Sequence, residues 1–324
     1  MGGATEDSGP TTVRSAGQSY GSRTSDLAAA VAARFGGDIS RMRRANGYSN
    51  ATWVGDGIAV RIAHSPVPMT READLVRALP RVVGYPEVLG EGRSQGHGWI
   101  VTKEVAGRNL QEAWPTLTGD EACEAIEGLW LRARAVHEAT PSLSSLVPPY
   151  GGFVPAAVED ARAIARRAER GLSMTAAARA RLHAVLEDFF DAASGVRHVV
   201  NHGDLALMNA LWDDQVVSLL DFEFSVLGPV EIDLCRLVLE ARGSAQGRNV
   251  DSEAERIALE IARRSMDAAH GRTLILGAAV LDQLRDVDLW LDRDSFGEAI
   301  EGWRPDLLLA GLLSAERGYL APLF

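Results

Sequence analysis

The 324-residue sequence predicts an α+β protein of two units, a small, mostly antiparallel sheet with one inserted helix followed by a larger, mostly helical unit. Three observations predict it. Between Asp38 and Thr102, short apolar runs alternate with turn signals such as Asn46-Gly47 and Gly55-Asp56-Gly57. Ala106-Gly107 breaks that pattern. Beyond it, residues 119–139 carry apolar side chains at 122, 126, 129, 133 and 136, the 3.6-residue stripe of a helix.

The elements follow in order. Residues 1–23 are rich in Gly, Ser and Thr, lack periodicity and read as a disordered tail. Thr24 or Ser25 caps a helix to about Phe35, which Gly36-Gly37 stops. Strands are expected over Ile39 to Ala45, Ala51 to Val54, Ile58 to Ile62, Val88-Leu89 and Trp99 to Val101, with a helix over Thr70 to Leu79. The sheet unit thus spans 24–105 and the helical unit 106–324. In the latter, helices are expected near 156–170, 174–193, 231–241, 252–269, 272–289 and 304–317. Val196 to Val200 and Val216 to Leu220 are its strands.

Composition narrows the function. An apolar fraction of 46% supports a large core, and the formal net charge of -11 argues against a nucleic-acid partner, whose footprint is a basic face. That acidity suits a cationic small molecule or a solvated acidic surface. The two cysteines, Cys123 and Cys235, read as core residues of a reducing compartment. No apolar run is long enough to span a membrane, so a cytoplasmic protein, monomeric or homodimeric, is expected. The histidines at 64, 97, 183, 198 and 270 are scattered, which gives zinc no support. Lys103 is the only lysine, so other roles usually given to lysine fall to arginine.

The chemistry concentrates in Asn201 to Leu237. Asp204, Asn209 and Asp221 can converge if the strands flanking the Asp213-Asp214 turn pair. Two carboxylates and an amide oxygen make an oxygen-rich site suited to Mg²⁺. Phosphoryl transfer needs such a metal and a carboxylate to orient the attacking hydroxyl. Glu223 joins the same side if the strand continues past Asp221.

His202-Gly203-Asp204, four residues, Asn209, and Asp221-Phe222-Glu223 twelve residues on resemble the aminoglycoside phosphotransferase family, relatives of protein kinases and of choline, homoserine and fructosamine kinases. The resemblance implies a kinase-like two-lobe fold that uses ATP or GTP. It makes Asp204 the catalytic base, Asn209 and Asp221 Mg²⁺ ligands, His202 the loop-bracing histidine, and Asp233 a support of the loop backbone. His137 matches a structural position. In the sheet unit, Ser49 and Asn50 fall at the phosphate hairpin, Arg61 stands where the family has lysine, and Glu72 is its helix acid. Residues Lys103, Glu104 and Val105 form the adenine hinge, with the Lys103 side chain toward solvent. The acceptor is a hydroxyl of a small polar molecule, an aminoglycoside or other antibiotic, with an amino sugar or choline-like metabolite as the alternative. Glu231, Asp286, Asp288, Trp290 and Asp292 are its candidate pocket; the acidic residues equally suit a solvated face.

Overall fold

The hairpin signals of the sheet unit become five antiparallel strands. A computed structural model describes residues 15–45, 50–63, 69–150, 154–242, 252–291 and 304–324. The expected turn at Asn46-Gly47, Ser49 and Asp292 lie outside them. Strands β1 (Arg43–Ala45), β2 (Asn50–Gly55), β3 (Ile58–Ala63), β4 (Val88–Ser94) and β5 (His97–Lys103) pair in the order β1-β2-β3-β5-β4. The β2–β3 turn is Asp56-Gly57, with φ of 54° and 78°, the two positive values a type I′ hairpin requires. Gln95-Gly96 repeats this between β4 and β5, with φ of 51° and 85°. The expected strand Ile39 to Ala45 is half lost. Asp38 caps a 3-10 turn over Ile39–Arg41 by accepting from Ser40 N, so β1 starts only at Arg43.

Helix α1 (Ser15–Arg34) begins earlier than Thr24 and takes in residues 15–23, which composition assigns to the tail. Leu27, Ala28, Val31 and Ala32 of α1 form one core with Trp53, Ile58, Val60, Ile62, Trp99 and Val101 of the sheet. At roughly 25 cal/mol per Å² of apolar surface, such burial is the dominant stabilising term.

Helix α2 (Thr70–Ala78) begins in this unit, which comprises Met1–Ala73 and Pro86–Val105; the second comprises Asp74–Tyr85 and Ala106–Phe324. Residues 74–85 group with the second because of close packing there. Gly84, at φ 74°, lies so near Val217 that a Cβ would come within 2.1 Å of its carbonyl oxygen, and Tyr85 meets Phe222 edge-on at 5.8 Å.

The second unit holds α3 (Leu110–Ala113), α4 (Gly119–Glu138), α5 (Thr140–Leu143), α6 (Val158–Gly171), α7 (Ala176–Ala193), α8 (Glu231–Arg242), α9 (Ser252–Ser265), α10 (Gly271–Leu291) and α11 (Pro305–Leu313). Its strands form two small sheets, β6 (Arg108–Asn109) with β8 (Ala210–Trp212) and β9 (Val216–Leu219), and β7 (Val199–Asn201) with β10 (Val226–Gly228). The α4 stripe is buried as expected at Ala122, Ile126, Leu129, Ala133 and Val136. Thr118 and Glu121 start that helix with a reciprocal capping box, a contribution of about 1 kcal/mol. Helix α10 packs against α6, α7, α8 and α11. Its Gly277 sits where a Cβ would lie 2.4 Å from Phe189, so the α7–α10 approach needs the missing side chain. No helix among the described residues is long and apolar enough to cross a membrane. Neither cysteine forms a disulfide; Cys235 is buried and Cys123 half-buried.

Candidate active site

Strand β7 delivers the chain to His202-Gly203-Asp204, and α8 receives it. Asp233, fully buried in the first turn of α8, accepts from the backbone N–H of His202 at 2.9 Å and of Gly203 at 3.0 Å. His137 of α4 donates to the same carboxylate at 2.8 Å. Burial opposes ionisation of Asp233, but the His137 hydrogen bond and charge, the nearby His202 and the Gly203 amide outweigh it, holding the carboxyl below its ordinary value. His202 links both sides of the site. Its Nε2 donates to the Leu220 carbonyl at 2.8 Å, and its Nδ1 accepts from Asp204 N at 3.2 Å, which selects the Nε2–H tautomer. Gly203 has φ 82°, and a Cβ there would fall 2.1 Å from the Phe224 carbonyl oxygen, so only glycine fits.

Asp204 and Asn209 meet directly. The Asn209 amide nitrogen donates to the Asp204 carboxylate Oδ2 at 3.0 Å and to its backbone oxygen at 2.9 Å. Its amide oxygen remains for another partner. Asn109 Nδ2 donates to the Met208 carbonyl at 2.6 Å and ties the intervening loop down. The strands on either side of the Asp213-Asp214 turn do pair, with Ala210 opposite Leu219, and Leu220 N donates to the Asn209 carbonyl at 2.7 Å. Asp221 is therefore one residue beyond Asn209 across the ladder.

The strand does not continue past Asp221, as the Glu223 expectation required. Asp221 adopts left-handed φ 62° and ψ 68°, and Phe222–Phe224 is a 3-10 turn. Strand alternation therefore does not carry from Asp221 to Glu223. A non-glycine residue in this region costs about 1–3 kcal/mol and marks functional sites; aspartate tolerates it better than most.

Among the described residues, no group of three His, Cys, Asp or Glu side chains is gathered around a metal position. The donors here are of a different kind. Asn209 Oδ1 and the Asp221 carboxylate are hard oxygens, and Mg²⁺ is commonly held by one or two carboxylates, with phosphates and water completing its shell. That donor set fits a nucleotide-borne Mg²⁺.

In the sheet unit, Arg61 on β3 and Glu72 on α2 form an ion pair, with side chains 12% and 5% exposed. It is thus a buried pair, not a surface one. Asn50, buried, opens β2 opposite Ala63. At the hinge, Lys103 N donates to Glu87 O and Glu104 N to Gly57 O, each at 2.9 Å. The exposed Lys103 side chain pairs with Glu87. Glu104 turns its carboxylate back to Gly57 N at 3.1 Å, fastening the β2–β3 turn.

Four of the candidate pocket residues lie among the described residues, and three of their carboxylates are engaged within the fold. Glu231 is 1% exposed and accepts from Asp267 N at 2.7 Å; burial pushes its carboxyl up. Asp286 is buried beside Arg285, 2.6 Å away, and burial pushes its carboxyl up despite that arginine. Asp288 lies 200° further round α10 by helical geometry and forms a two-pronged pair with Arg167 of α6, both contacts 2.7 Å. Trp290 is half-buried.

Three residues not anticipated from sequence form a charged cluster that meets Asp204 through Arg236. Arg236 NH2 lies 3.4 Å from Asp204 Oδ1, and Asp282 and Glu240 lie 3.0 and 3.7 Å from the same guanidinium. Their signal is charge at helical spacing, Arg236 with Glu240 and Asp282 with Asp286, inside otherwise apolar helices.

A sequence profile described as the phosphotransferase enzyme family matches residues 40–269. No curated protein matches the sequence. Among solved structures, the GDP complex of an aminoglycoside 2′-phosphotransferase-IIIa is similar at TM-score 0.62 and 15% identity, covering 89% of this chain and 94% of that one. A choline/ethanolamine kinase family protein from Mesorhizobium loti gives TM-score 0.62 and 18% identity, with 94% and 98% covered. A macrolide 2′-phosphotransferase from Brachybacterium faecium gives 0.53 and 18%, with 90% and 98% covered. These likenesses establish a shared fold, with an antiparallel N-terminal sheet lobe and a mostly helical C-terminal lobe. With more than half of its length matched by the profile, the chain belongs to the phosphotransferase enzyme family.

Proposed function

We propose that the chain is a small-molecule kinase that moves the γ-phosphoryl group of ATP or GTP to a hydroxyl of a cationic acceptor. The observation that carries this reading is the Asp204 carboxylate, held by Asn209 on a loop braced by Asp233, with Asp221 one residue beyond Asn209 across the strand pair. Asp204 orients the acceptor hydroxyl and takes its proton as the new O–P bond forms. The bond between the γ-phosphorus and the bridging oxygen breaks, and the nucleoside diphosphate leaves. Asn209 and Asp221 hold Mg²⁺, which when bound neutralises phosphate charge. Arg61, fixed by Glu72, serves the phosphates in the role the family gives to lysine, and Ser49 and Asn50 flank them. The carbonyls of the 103–105 hinge and the Val105 N–H, which is not engaged by another described residue, meet the base.

The net charge of -11 favours a cationic acceptor. The aminoglycoside and choline/ethanolamine neighbours, equal at TM-score 0.62, both carry names of hydroxylated amines, so antibiotic and metabolic acceptors stand side by side. Asp286, Asp288, Trp290, Asp292 and Glu231 remain the candidate acceptor contacts. A phosphotransfer screen with radiolabelled ATP or GTP against aminoglycosides, macrolides, amino sugars, choline and ethanolamine tests the reading. Transfer to an aminoglycoside supports the antibiotic acceptor, and transfer to choline, ethanolamine or an amino sugar supports the metabolic one. Absence of substrate-stimulated transfer, together with unchanged Mg²⁺-nucleotide binding in Asp221→Ala, would leave a kinase-like binding protein instead.

A further inference from the structure

One face of α8 carries three charged residues, Asp233, Arg236 and Glu240, at the i, i+3, i+7 spacing that lines up side chains on a helix. All three address the catalytic loop. Asp233 takes the N–H groups of His202 and Gly203, and Glu240 Oε2 takes the N–H of Leu207 at 3.1 Å. Arg236, between them, lies against the side chain of Asp204 itself, 3.4 Å from Oδ1. The other carboxylate oxygen, Oδ2, is bound by Asn209. Oδ1 is buried and has no hydrogen bond, so the guanidinium is the charged group that sets its direction.

Arg236 is itself held from several sides. Asp282 lies 3.0 Å away, Glu240 3.7 Å and Asp286 3.9 Å, while Arg285 pairs with Asp282 and Asp286. A planar, permanently charged fork surrounded in this way cannot swing toward any one carboxylate without losing another. We propose that Arg236 is a positioning residue for the phosphoryl transfer. It fixes the rotamer of the Asp204 carboxylate by holding Oδ1 while Asn209 keeps Oδ2, and α10 holds Arg236 in place through Asp282. This rests on the phosphotransferase reading above. Asp233 alone would fix the loop backbone; the Arg236 contact fixes the carboxylate rotamer, which backbone anchoring does not.

The test is a double-variant cycle on the full-length protein with Mg²⁺-ATP, reading phosphate released to water in single-turnover and steady-state form. Arg236→Ala is expected to lower kcat about 10–100-fold, since a misplacement of about 1 Å at a reacting group has effects of that size. The KM for ATP and the affinity for a fluorescent ATP analogue should stay within about twofold, an interaction lost in the transition state alone. Arg236→Lys, which keeps the charge without the fork, should recover part of the rate. The decisive arm is Asp204→Ala with and without Arg236→Ala. If Arg236 acts through Asp204, the second substitution changes nothing further. Should Arg236→Ala fail to fold, Asp282→Asn releases the anchor while leaving the guanidinium, and the same cycle with Asp204→Ala applies.

Effects that multiply in the double variant would overturn the inference, as would wild-type kcat in Arg236→Ala. Unchanged phosphate transfer in Asp204→Ala, or no transfer by the wild type from ATP or GTP to water or to any acceptor of the screen above, would instead overturn the phosphotransferase reading. The two failures are thereby distinguishable.

Discussion

The catalytic loop and the Arg61 strand are both built on buried charge, yet they are held differently. Arg61 pairs with the buried Glu72 carboxylate. The loop is gripped through Asp233, which His137 backs from behind, and through Glu240 and Arg236, and the last shares its charge among four carboxylates. A single pair fixes one edge of a guanidinium and loses its role when either partner goes. A network distributes each contact, and removing one member leaves several buried groups unpaired. The difference matches the tasks proposed above. A phosphate-binding cation needs only to be present and aimed, whereas a base must be held at a fixed distance from its acceptor.

The contrast can be broken most forcefully at Asp233. Asp233→Ala removes the acceptor for His137 and two loop amides, and chemical denaturation should show a loss of about 3–5 kcal/mol, as for other broken buried pairs. Phosphate transfer should vanish with it. Because the folded pKa of Asp233 is depressed, its stabilisation is present above the unfolded value of about 3.9 and is lost as pH falls through the folded value. An acid-unfolding titration should show that loss in the wild type, and Asp233→Asn should lack it.

Gly203→Ala tests the same loop without touching a charge. A positive φ and the Phe224 carbonyl together oppose a Cβ, so thermal melts should report a loss of at least about 1–3 kcal/mol. On the strand side, Glu72→Gln should lower stability by about 1–3 kcal/mol, the penalty of under-satisfying a buried ionic partner. Its sharper effect should be on nucleotide affinity, measured by calorimetry, with the loop chemistry untouched. A Glu72→Gln variant that binds nucleotide normally and loses turnover instead would reverse the division of labour.

The smallest effect is expected at Glu231, on the same helix as Asp233 but turned to the Asp267 amide. Burial raises its folded pKa, so its contribution is fully present below the unfolded value of about 4.3 and is lost as pH rises through the folded value. Glu231→Gln keeps an acceptor for Asp267 N and removes the buried charge. At pH 7 it should equal or exceed the wild type by less than about 1 kcal/mol in denaturant midpoints.

Much of this arrangement was legible in the residues. Turn chemistry placed the Asp56-Gly57 hairpin, and the Asp213-Asp214 turn permitted the strand pairing that sets Leu220 against Asn209. The left-handed backbone at Asp221 was not legible, because an apolar run followed by Phe222-Glu223-Phe224 has the alternation of a continuing strand. Arg236, Glu240 and Asp282 were missed for another reason. Charged pairs three or four apart on a helix usually lie on its surface, and burial of both helices is a tertiary fact that local spacing does not encode. The same limit applies to Asp288, whose charge is engaged by Arg167 from 121 positions away in sequence.

The role proposed for Asp204, the base of a phosphoryl-transfer centre, is open to direct measurement. Its most direct measurement compares wild type and Asp204→Asn for transfer of radiolabelled γ-phosphate from Mg²⁺-ATP or Mg²⁺-GTP, with nucleotide affinity measured in parallel. A fall in kcat of about 10²–10⁴-fold, the usual contribution of a positioned base, is expected at nearly unchanged nucleotide affinity. Transfer by Asp204→Asn at the wild-type rate would contradict that role.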